Sequence, residues 1–349
     1  MAIDLFEPRS MQRAIEVRKR PRNWYTDTYF GENPMGVHGT PTIDQDVRVQ
    51  GQRMAPLQLP TEASRAVNRD SFSTGSIRIP YMKPMLPTTA GELLAQREPG
   101  ANLYAAPDLV GAARARLGRD IADLDDMNAR RVEYMAARGM QTGKTPLVNV
   151  GDDGKPTINA EVDWQMPVAH LVTLTGTALW TDKTNSDPIG KLRDFANLVI
   201  ASAGLSPAVA TVGTSVASAI IAHPQIQAML DNRRVEAGML ELREQGVEGI
   251  TYLGRIKGID IYEDARTFTN DAGTAELYTP VDRLVLGAPR AENYVERAPI
   301  QDLKCPTPRV ARWVKTWEKD DPSVRYVAVH QSALPALWQP DSFVSAKVI

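Results

Sequence analysis

The stretch ARARLGRDIADLDDMNARRVEYMAARGM, residues 113–140, predicts one long helix. Its apolar stripe is narrow, because Leu117, Ile121 and Leu124 step by four and three, and only Met135 continues the stripe beyond a polar interruption. At 1.5 Å per residue the helix is a rod of roughly 40 Å. We expect a rod with so thin a seam to lie across a sheet or along a neighbouring subunit. A solvated helix in an enzyme is the alternative for this feature alone.

Charged residues cover the remaining faces of this helix. Opposite charges four residues apart support it, at Arg116 with Asp120, Arg119 with Asp123 and Asp126 with Arg130. The acidic run DLDD, residues 123–126, falls on successive faces of the helix. Its carboxylates therefore do not converge as a catalytic pair or a cation cage requires. We predict that this run is a solvated face.

The composition is that of an ordinary soluble globular protein. A chain of 349 residues with 43% hydrophobic and 23% charged residues has the length for two or more packing units. Lysine plus arginine (40) nearly balance aspartate plus glutamate (42), which argues against bulk nucleic-acid binding. No window approaches the roughly 20 apolar residues that cross a bilayer, and the charged N-terminus does not fit a signal peptide. We expect a soluble, non-secreted protein with no membrane partner.

The first ninety residues are rich in proline and glycine and are expected to form an extended arm rather than a core. Val47 and Val49 alternate with polar residues, and Ile77 and Ile79 share one face of a second strand. The polar segment 61–75 would form the tip of a long two-stranded ribbon. Because an isolated ribbon is marginal in water, we expect it to rest on another subunit.

The remainder of the chain mixes helices and strands without a regular βαβ rhythm, so the sequence predicts an α+β fold. A linker is expected at GDDGKP, residues 151–156, with a compact region from Trp164 onward. PIGKLRDFANLVIASAG predicts a helix with Ser186 or Asp187 as its cap, Pro188 in its first turn and Gly204 as its stop. The tail, with RVARWVKTWEK, SVRYVAVHQ and SFVSAKVI, is predicted to be strand-rich.

The segment GMQTGKT, residues 139–145, ends like a phosphate-binding P-loop. A P-loop has four residues between its glycines and lies between a strand and a helix, whereas Gly139 and Gly143 are separated by three residues and follow a helix. A nucleotide-binding enzyme using Lys144 and Thr145 is therefore an alternative. The favoured interpretation is a glycine-terminated helix followed by a polar turn.

No catalytic or metal constellation is predicted, and no cofactor is expected. The histidines at 38, 170, 223 and 330 lie far apart, and none has helical zinc-ligand spacing with another. Cys305 is the only cysteine, which excludes an intrachain disulfide, and no partner base for it can be identified. We interpret each of these side chains as structural.

Basic residues cluster near the N-terminus, against the single acid Glu16 between residues 9 and 22. They could contact nucleic-acid phosphates or an acidic neighbouring subunit, and the sequence leaves both open. The candidate inter-subunit or nucleic-acid contacts are Arg13, Arg18, Lys19, Arg20 and Arg22, with Arg65 and Arg69 in the predicted ribbon tip.

The order of parts is a basic arm, a projecting ribbon, a long helix, a compact α+β body and a strand-rich tail. With PYMKPMLPTTAGELL (80–94), LDDMNARRVEYMAARGMQTGK (124–144), PIGKLRDFANLV (188–199) and PDSFVSAKVI (340–349), it resembles the major capsid protein of tailed bacteriophages. More narrowly, it is similar to the lambda-like major head protein, with the Hong Kong 97-type fold. The resemblance implies an arm at 1–50, an extended loop at 51–90, a peripheral domain with the spine helix at 91–164, an axial domain over most of 165–280, and a strand-rich return at 281–349.

The resemblance implies a structural protein without an active site. Copies would form the hexamers and pentamers of an icosahedral shell around the genome, in a virion assembled in the host bacterial cytoplasm. It also implies a scaffold, a portal, a decoration protein and non-specific packaged double-stranded DNA as partners. Another phage virion component, such as a tail protein, is a further alternative.

Overall fold

The computed structural model describes residue 15 and residues 23–48, 72–89, 109–150, 156–233, 243–244, 248–270, 273–289, 291–321 and 324–349. These residues form a mixed fold of helices and sheets, which confirms the predicted α+β class. The helices are α1 (Tyr25–Tyr29), α2 (Leu109–Thr142), α3 (Pro188–Ala203), α4 (Thr214–Ile221) and α5 (Pro224–Arg233). Short 3-10 turns occur at Val168–His170, Gly176–Ala178 and Pro340–Ser342.

The strands follow in chain order. They are β1 (Gly31–Val37), β2 (Thr42–Arg48), β3 (Phe72–Arg78), β4 (Tyr81–Met82), β5 (Met85–Thr89), β6 (Lys144–Val150), β7 (Pro156–Asp163), β8 (Leu171–Thr173), β9 (Val209–Val212), β10 (Arg243–Glu244), β11 (Ile250–Ile256), β12 (Ile259–Asp264), β13 (Thr267–Thr269), β14 (Ala275–Leu277), β15 (Arg283–Gly287), β16 (Tyr294–Arg297), β17 (Arg312–Lys319), β18 (Val324–Ala336) and β19 (Phe343–Lys347).

The long helix α2 contains the whole predicted stretch and lies across a sheet, as expected. That sheet has six strands in the order β1-β16-β18-β17, with β4 and β5 also pairing along β18. The apolar stripe of α2 packs on β17 and β18 in one buried cluster, which contains Ile15, Leu117, Ile121, Leu124, Val314, Val327 and Val329. The narrow seam therefore matches a single layer of sheet side chains.

A second sheet has seven strands in the order β10-β11-β12-β9-β15-β19-β8. Helix α3 packs on it through Leu192, Phe195 and Val199, which are buried with strand residues such as Leu284 and Val344. The predicted caps of α3 are confirmed. Asp187 accepts a hydrogen bond from the Gly190 N–H at 2.9 Å, and Gly204 ends the helix in the left-handed conformation at φ 71°.

Three strand pairs stand apart from both sheets. In the described residues β2 pairs only with β3, so the predicted ribbon is present, and its predicted tip at 61–75 lies almost entirely outside the described residues. β13 and β14 form a hairpin, with Thr269 opposite Ala275. β6 and β7 form another, with Val150 opposite Pro156. The predicted linker at GDDGKP lies, except for Pro156, outside the described residues.

The prediction that the first ninety residues contribute no core is wrong. Trp24, Tyr25, Tyr29 and Phe30 are buried in the largest hydrophobic cluster, together with residues from α2 and both large sheets. Ile43, Ile77 and Ile79 join the same cluster at the base of the ribbon. The aromatic side chains bury too much apolar area to remain in a solvated arm.

Candidate functional site

The contact between α2 and the six-stranded sheet is fixed by buried polar groups as well as by the apolar stripe. Asp125 is buried and receives a 2.6 Å hydrogen bond from Nη1 of Arg312 on β17. The Asn128 side chain donates to the carbonyl of Val329 on β18 at 3.2 Å. The predicted solvated face at DLDD is therefore wrong at Asp125, because this carboxylate is buried and turns toward the Arg312 guanidinium. These bonds fix both the rotation and the register of α2 on the sheet.

The predicted charge pair between Arg116 and Asp120 is present on α2. Nε of Arg116 lies 3.1 Å from Oδ1 of Asp120, and the aspartate is largely buried. Burial has the largest effect on this carboxyl and raises its pKa, while Arg116 opposes that shift. Arg116 therefore serves as the partner of a desolvated carboxylate, and the two residues do not form an ordinary surface ion pair.

Glu133 of α2 anchors the N-terminal segment from Asn23 to Phe30. Its Oε1 accepts the backbone N–H of Trp24 at 2.8 Å and that of Tyr25 at 2.7 Å. Its Oε2 accepts the N–H and the hydroxyl of Thr26, both at 3.0 Å. Only 1% of Glu133 is exposed. One carboxylate thus satisfies the free N–H groups at the start of α1, a task usually performed by a local cap.

Arg266 balances the charge of Glu133 and extends the anchor to the strands. Its Nη2 donates to Glu133 at 3.0 Å and its Nε donates to Asp264 at 2.9 Å. Burial is the largest influence on Arg266 and lowers its pKa, but the bonds to Asp264 and the charge of Glu133 outweigh it and raise the pKa overall. The Thr279 hydroxyl completes the network with a 2.9 Å bond to Asp264.

The aromatic rings of the anchored segment bind to the seven-stranded sheet. Nε1 of Trp24 donates to the Thr211 hydroxyl on β9 at 2.9 Å, and the Tyr29 hydroxyl lies 3.1 Å from the same oxygen. Burial raises the pKa of Tyr29 above its usual range. Gly287 on β15 permits this packing, because a Cβ there would lie 2.7 Å from atoms of both Tyr29 and Phe343. The segment therefore joins α2 to the seven-stranded sheet.

The chain then continues as edge strand β1 along β16. Glu32 receives two bonds from the buried Arg297, at 3.1 Å from Nε and 2.7 Å from Nη2. Nε2 of His38 lies 2.6 Å from the buried carboxylate of Glu296. A cavity of about 150 Å³ lies between this segment, α2 and β18, and Arg297 contributes to its wall. It is smaller than the roughly 300 Å³ at which ordinary small-molecule sites begin, so it does not indicate a substrate site.

The GMQTGKT segment does not form a phosphate loop. Helix α2 ends at Thr142, Gly143 turns the chain at φ 72°, and strand β6 follows. Thr145 is buried and its hydroxyl accepts a 2.8 Å bond from Nε1 of Trp164. Nζ of Lys144 lies 3.1 Å from Glu161. Because no helix N-terminus follows the glycine turn, these residues lack the dipole and N–H groups that bind phosphate.

The histidines and the cysteine contact structural partners. His170 bonds to the carbonyl of Phe343 at 2.7 Å, and His223 lies 3.1 Å from the Ser186 hydroxyl. Nδ1 of His330 lies 2.6 Å from the Tyr81 hydroxyl, and burial lowers the pKa of His330 to about 4. The buried Cys305 thiol donates to the Thr307 carbonyl. Within the described ranges, no three His, Cys, Asp or Glu side chains are grouped to hold a metal ion.

The basic residues predicted to make contacts cannot be placed relative to these features. They all lie outside the described residues: Arg13, Arg18, Lys19, Arg20, Arg22, Arg65 and Arg69. The sequence did not predict that Glu133 and Arg266 anchor the N-terminal segment, although the aromatic run NWYTDTYF at 23–30 indicates that this part of the chain is buried. None of the described helices is long and apolar enough to cross a membrane.

The family relationship follows from the whole length of the sequence. Residues 7–348 match the family described as phage major capsid protein E. The chain belongs to this family. As a phage major capsid protein it forms the shell of a virion by assembly of many copies. No curated protein matches the sequence.

Solved structures show the same fold at low sequence identity. A protein assigned as a prophage capsid protein of E. coli CFT073 has a TM-score of 0.71 and 18% identity, over 98% of this chain and 99% of that chain. A phage-related protein of Bordetella bronchiseptica RB50 has a TM-score of 0.54 and 12% identity, over 97% and 95%. The mature capsid of bacteriophage PhiM1 has a TM-score of 0.51 and 11% identity, over 95% and 88%. The major capsid protein therefore has the Hong Kong 97-type fold that its sequence resembled.

Proposed function

We propose that copies of this chain assemble as hexamers and pentamers into a closed icosahedral shell. The observation that carries the proposal is the ribbon of β2 and β3, which in the described residues pairs with neither large sheet. An isolated two-stranded ribbon is marginal in water, so its outer part gains stability by lying on another subunit. The body that presents it is stiff, because α2 is bonded to the sheet and to the N-terminal segment.

The proposed domains have the bounds that were predicted from the sequence. The arm is 1–50, the extended loop 51–90, the peripheral domain 91–164, most of the axial domain 165–280, and the strand-rich return 281–349. The six-stranded sheet with α2 supports a peripheral unit, and the seven-stranded sheet with α3 and α4 supports an axial unit. Strand β2 begins at Thr42, so the ribbon includes part of the proposed arm.

The shell has further binding partners and is assembled inside the host cell. Arg13, Arg18, Lys19, Arg20, Arg22, Arg65 and Arg69 contact neighbouring subunits or the packaged double-stranded DNA, without sequence preference. Scaffold, portal and decoration proteins bind the shell, which assembles in the host bacterial cytoplasm. The chain performs no catalysis. The structural partners of Thr145, Cys305 and His170 support that view, because each side chain is hydrogen-bonded within the fold.

The test is to express the chain, alone and with a scaffold protein, and to examine the product by electron microscopy and sedimentation. We expect curved shells or capsomers. A variant in which residues 50–71 are replaced by a short glycine-serine turn keeps the β2–β3 base and should yield folded protein that does not close into shells. Uniform small particles from the unaltered chain would contradict the proposed shell, and normal shells from the shortened variant would contradict the role of the ribbon.

A further inference from the structure

The seven-stranded sheet ends in a strand whose outer edge is unusual. β8 pairs with β19 on one side, with Leu171 opposite Ser345 and Thr173 opposite Lys347. No other strand pairs with it among the described residues. The Leu174 N–H donates to the Lys347 carbonyl at 2.9 Å, so alternation along the strand turns the Thr173 N–H away from β19. The backbone groups of Thr173 therefore face outward.

The side chains at this edge are apolar and exposed. Val168, in the turn before β8, is 85% exposed, and Leu171 is 37% exposed. The surrounding segment, residues 164–181, contains no Asp, Glu, Lys or Arg. Its one titratable side chain, His170, is buried and bonded to Phe343. The Leu171 N–H is already bonded to the Val168 carbonyl, so the edge is an apolar strip beside the outward backbone groups of Thr173.

The same chain protects its other sheet in the usual way. β17, an edge strand of the six-stranded sheet, has the sequence RWVKTWEK and so carries a charge at half of its positions. Natural edge strands commonly use such charges to prevent pairing with another chain. β8 lacks this protection although it is equally an edge. A strand edge without charges is suited to pairing, provided that a regular partner covers it.

We propose that the β8 edge, with Val168 and Leu171, is an interface that docks on a second copy of this chain. This inference rests on the proposed shell, in which every copy has identical neighbours. Residues 164–181 carry no cation, and Lys347 on the paired strand is already bonded to Asp282 at 2.9 Å, which makes the strip unsuited to the phosphates of DNA. In a ring of five or six copies each β8 edge meets a different surface of the next copy, so the contact is head-to-tail rather than self-complementary. Contacts of that kind close into rings when the rotation between copies allows it.

The first test places charges on the strip. In Val168→Lys/Leu171→Lys both side chains remain solvated in the free subunit, so we expect unchanged thermal unfolding by circular dichroism. In the interface the ammonium groups would lose water, so the yield of shells in sedimentation should fall by roughly tenfold or more. The matched control is Met35→Lys/Leu303→Lys, which adds the same charges at exposed apolar positions outside this sheet. The control should assemble like the unaltered chain.

A second variant tests the backbone of the edge. Thr173→Pro removes the outward N–H and leaves the Leu174 bond to β19 in place. It should impair assembly without added charge, which keeps the proposal testable if the lysine variant fails to fold. Normal shell yields from both edge variants would overturn the proposal, as would an equal loss in the control. If the edge variants formed shells in normal yield but no longer bound a co-expressed scaffold protein, the proposal would also be overturned. If the unaltered chain formed no shells, the proposed function itself would fail.

Discussion

At the scale of single residues, one carboxylate organises the start of the chain. Glu133 lies in the C-terminal half of α2, yet it accepts hydrogen bonds from the backbone N–H groups of Trp24, Tyr25 and Thr26. Arg266 supplies the compensating charge at 3.0 Å. A buried charge is tolerated when it is paired and fully hydrogen-bonded, and it is costly when its partners are removed.

Glu133→Ala should therefore destabilise the fold strongly. It leaves three backbone N–H groups and the Arg266 guanidinium without this acceptor, so the free energy of unfolding should fall by about 3–5 kcal/mol. Urea denaturation would measure the change. Glu161→Ala is the control, since its pair with Lys144 is half exposed and should contribute little to stability. A loss below about 1 kcal/mol in Glu133→Ala would show that the anchor does not carry this energy.

His330 should make stability depend on pH. Burial lowers the pKa of the folded state to about 4 from the ordinary 6.5, so the unfolded chain binds the proton more readily between these values. The contribution of neutral His330 is complete above pH 6.5 and is lost as the pH falls toward 4. Urea denaturation at several pH values should show a shallower dependence in His330→Gln over this window. If the free energy of unfolding depended on pH identically in the unaltered protein and in His330→Gln, His330 would not be the source of the effect.

For helices and strands, the sequence predicted those features that depend on residues close together in the chain, namely apolar spacing and helix caps. The spacing of Leu117, Ile121 and Leu124 predicted α2, and Asp187 with Gly204 predicted both ends of α3. The anchor was missed because the partners of Trp24 and Tyr25 lie more than 100 positions away in the chain. For the same reason Asp125 was assigned to solvent, since periodicity cannot show that Arg312 approaches it. Which charged side of a helix is buried depends on long-range pairs.

The turn from α2 into β6 requires a glycine at position 143. Gly143 has φ 72°, and a Cβ there would lie 2.6 Å from Cβ of Met166. Gly143→Ala should lower the free energy of unfolding by about 2 kcal/mol or more. Gly118 lies within α2, is exposed and has no atom within 4 Å of an added Cβ. Gly118→Ala should therefore raise stability by about 0.5–1 kcal/mol, and thermal or urea unfolding would separate the two outcomes.

At the scale of the whole molecule, the two large sheets share one core. The largest buried cluster includes Val295 and Leu334 from one sheet, Val285 and Phe343 from the other, and Met135 from α2. A subunit with a common core transmits force between its parts rather than bending at a loose junction. Among the described residues, the ribbon of β2 and β3 pairs with neither large sheet and is then the part left to adapt to differently placed neighbours in a shell.

If the basic N-terminal residues bind DNA phosphates, replacing Arg13, Arg18, Lys19, Arg20 and Arg22 by Gln should leave shell formation intact and weaken DNA binding. The slope of log affinity against log salt should become shallower by about 0.9 for each phosphate that is no longer neutralised. Arg65→Gln/Arg69→Gln is the comparison, because it removes charge from the predicted ribbon tip instead. An unchanged salt slope in the N-terminal variant, together with impaired assembly, would show that these side chains contact an acidic neighbouring subunit. Loss of those ion pairs would weaken the association of subunits and leave DNA binding unchanged.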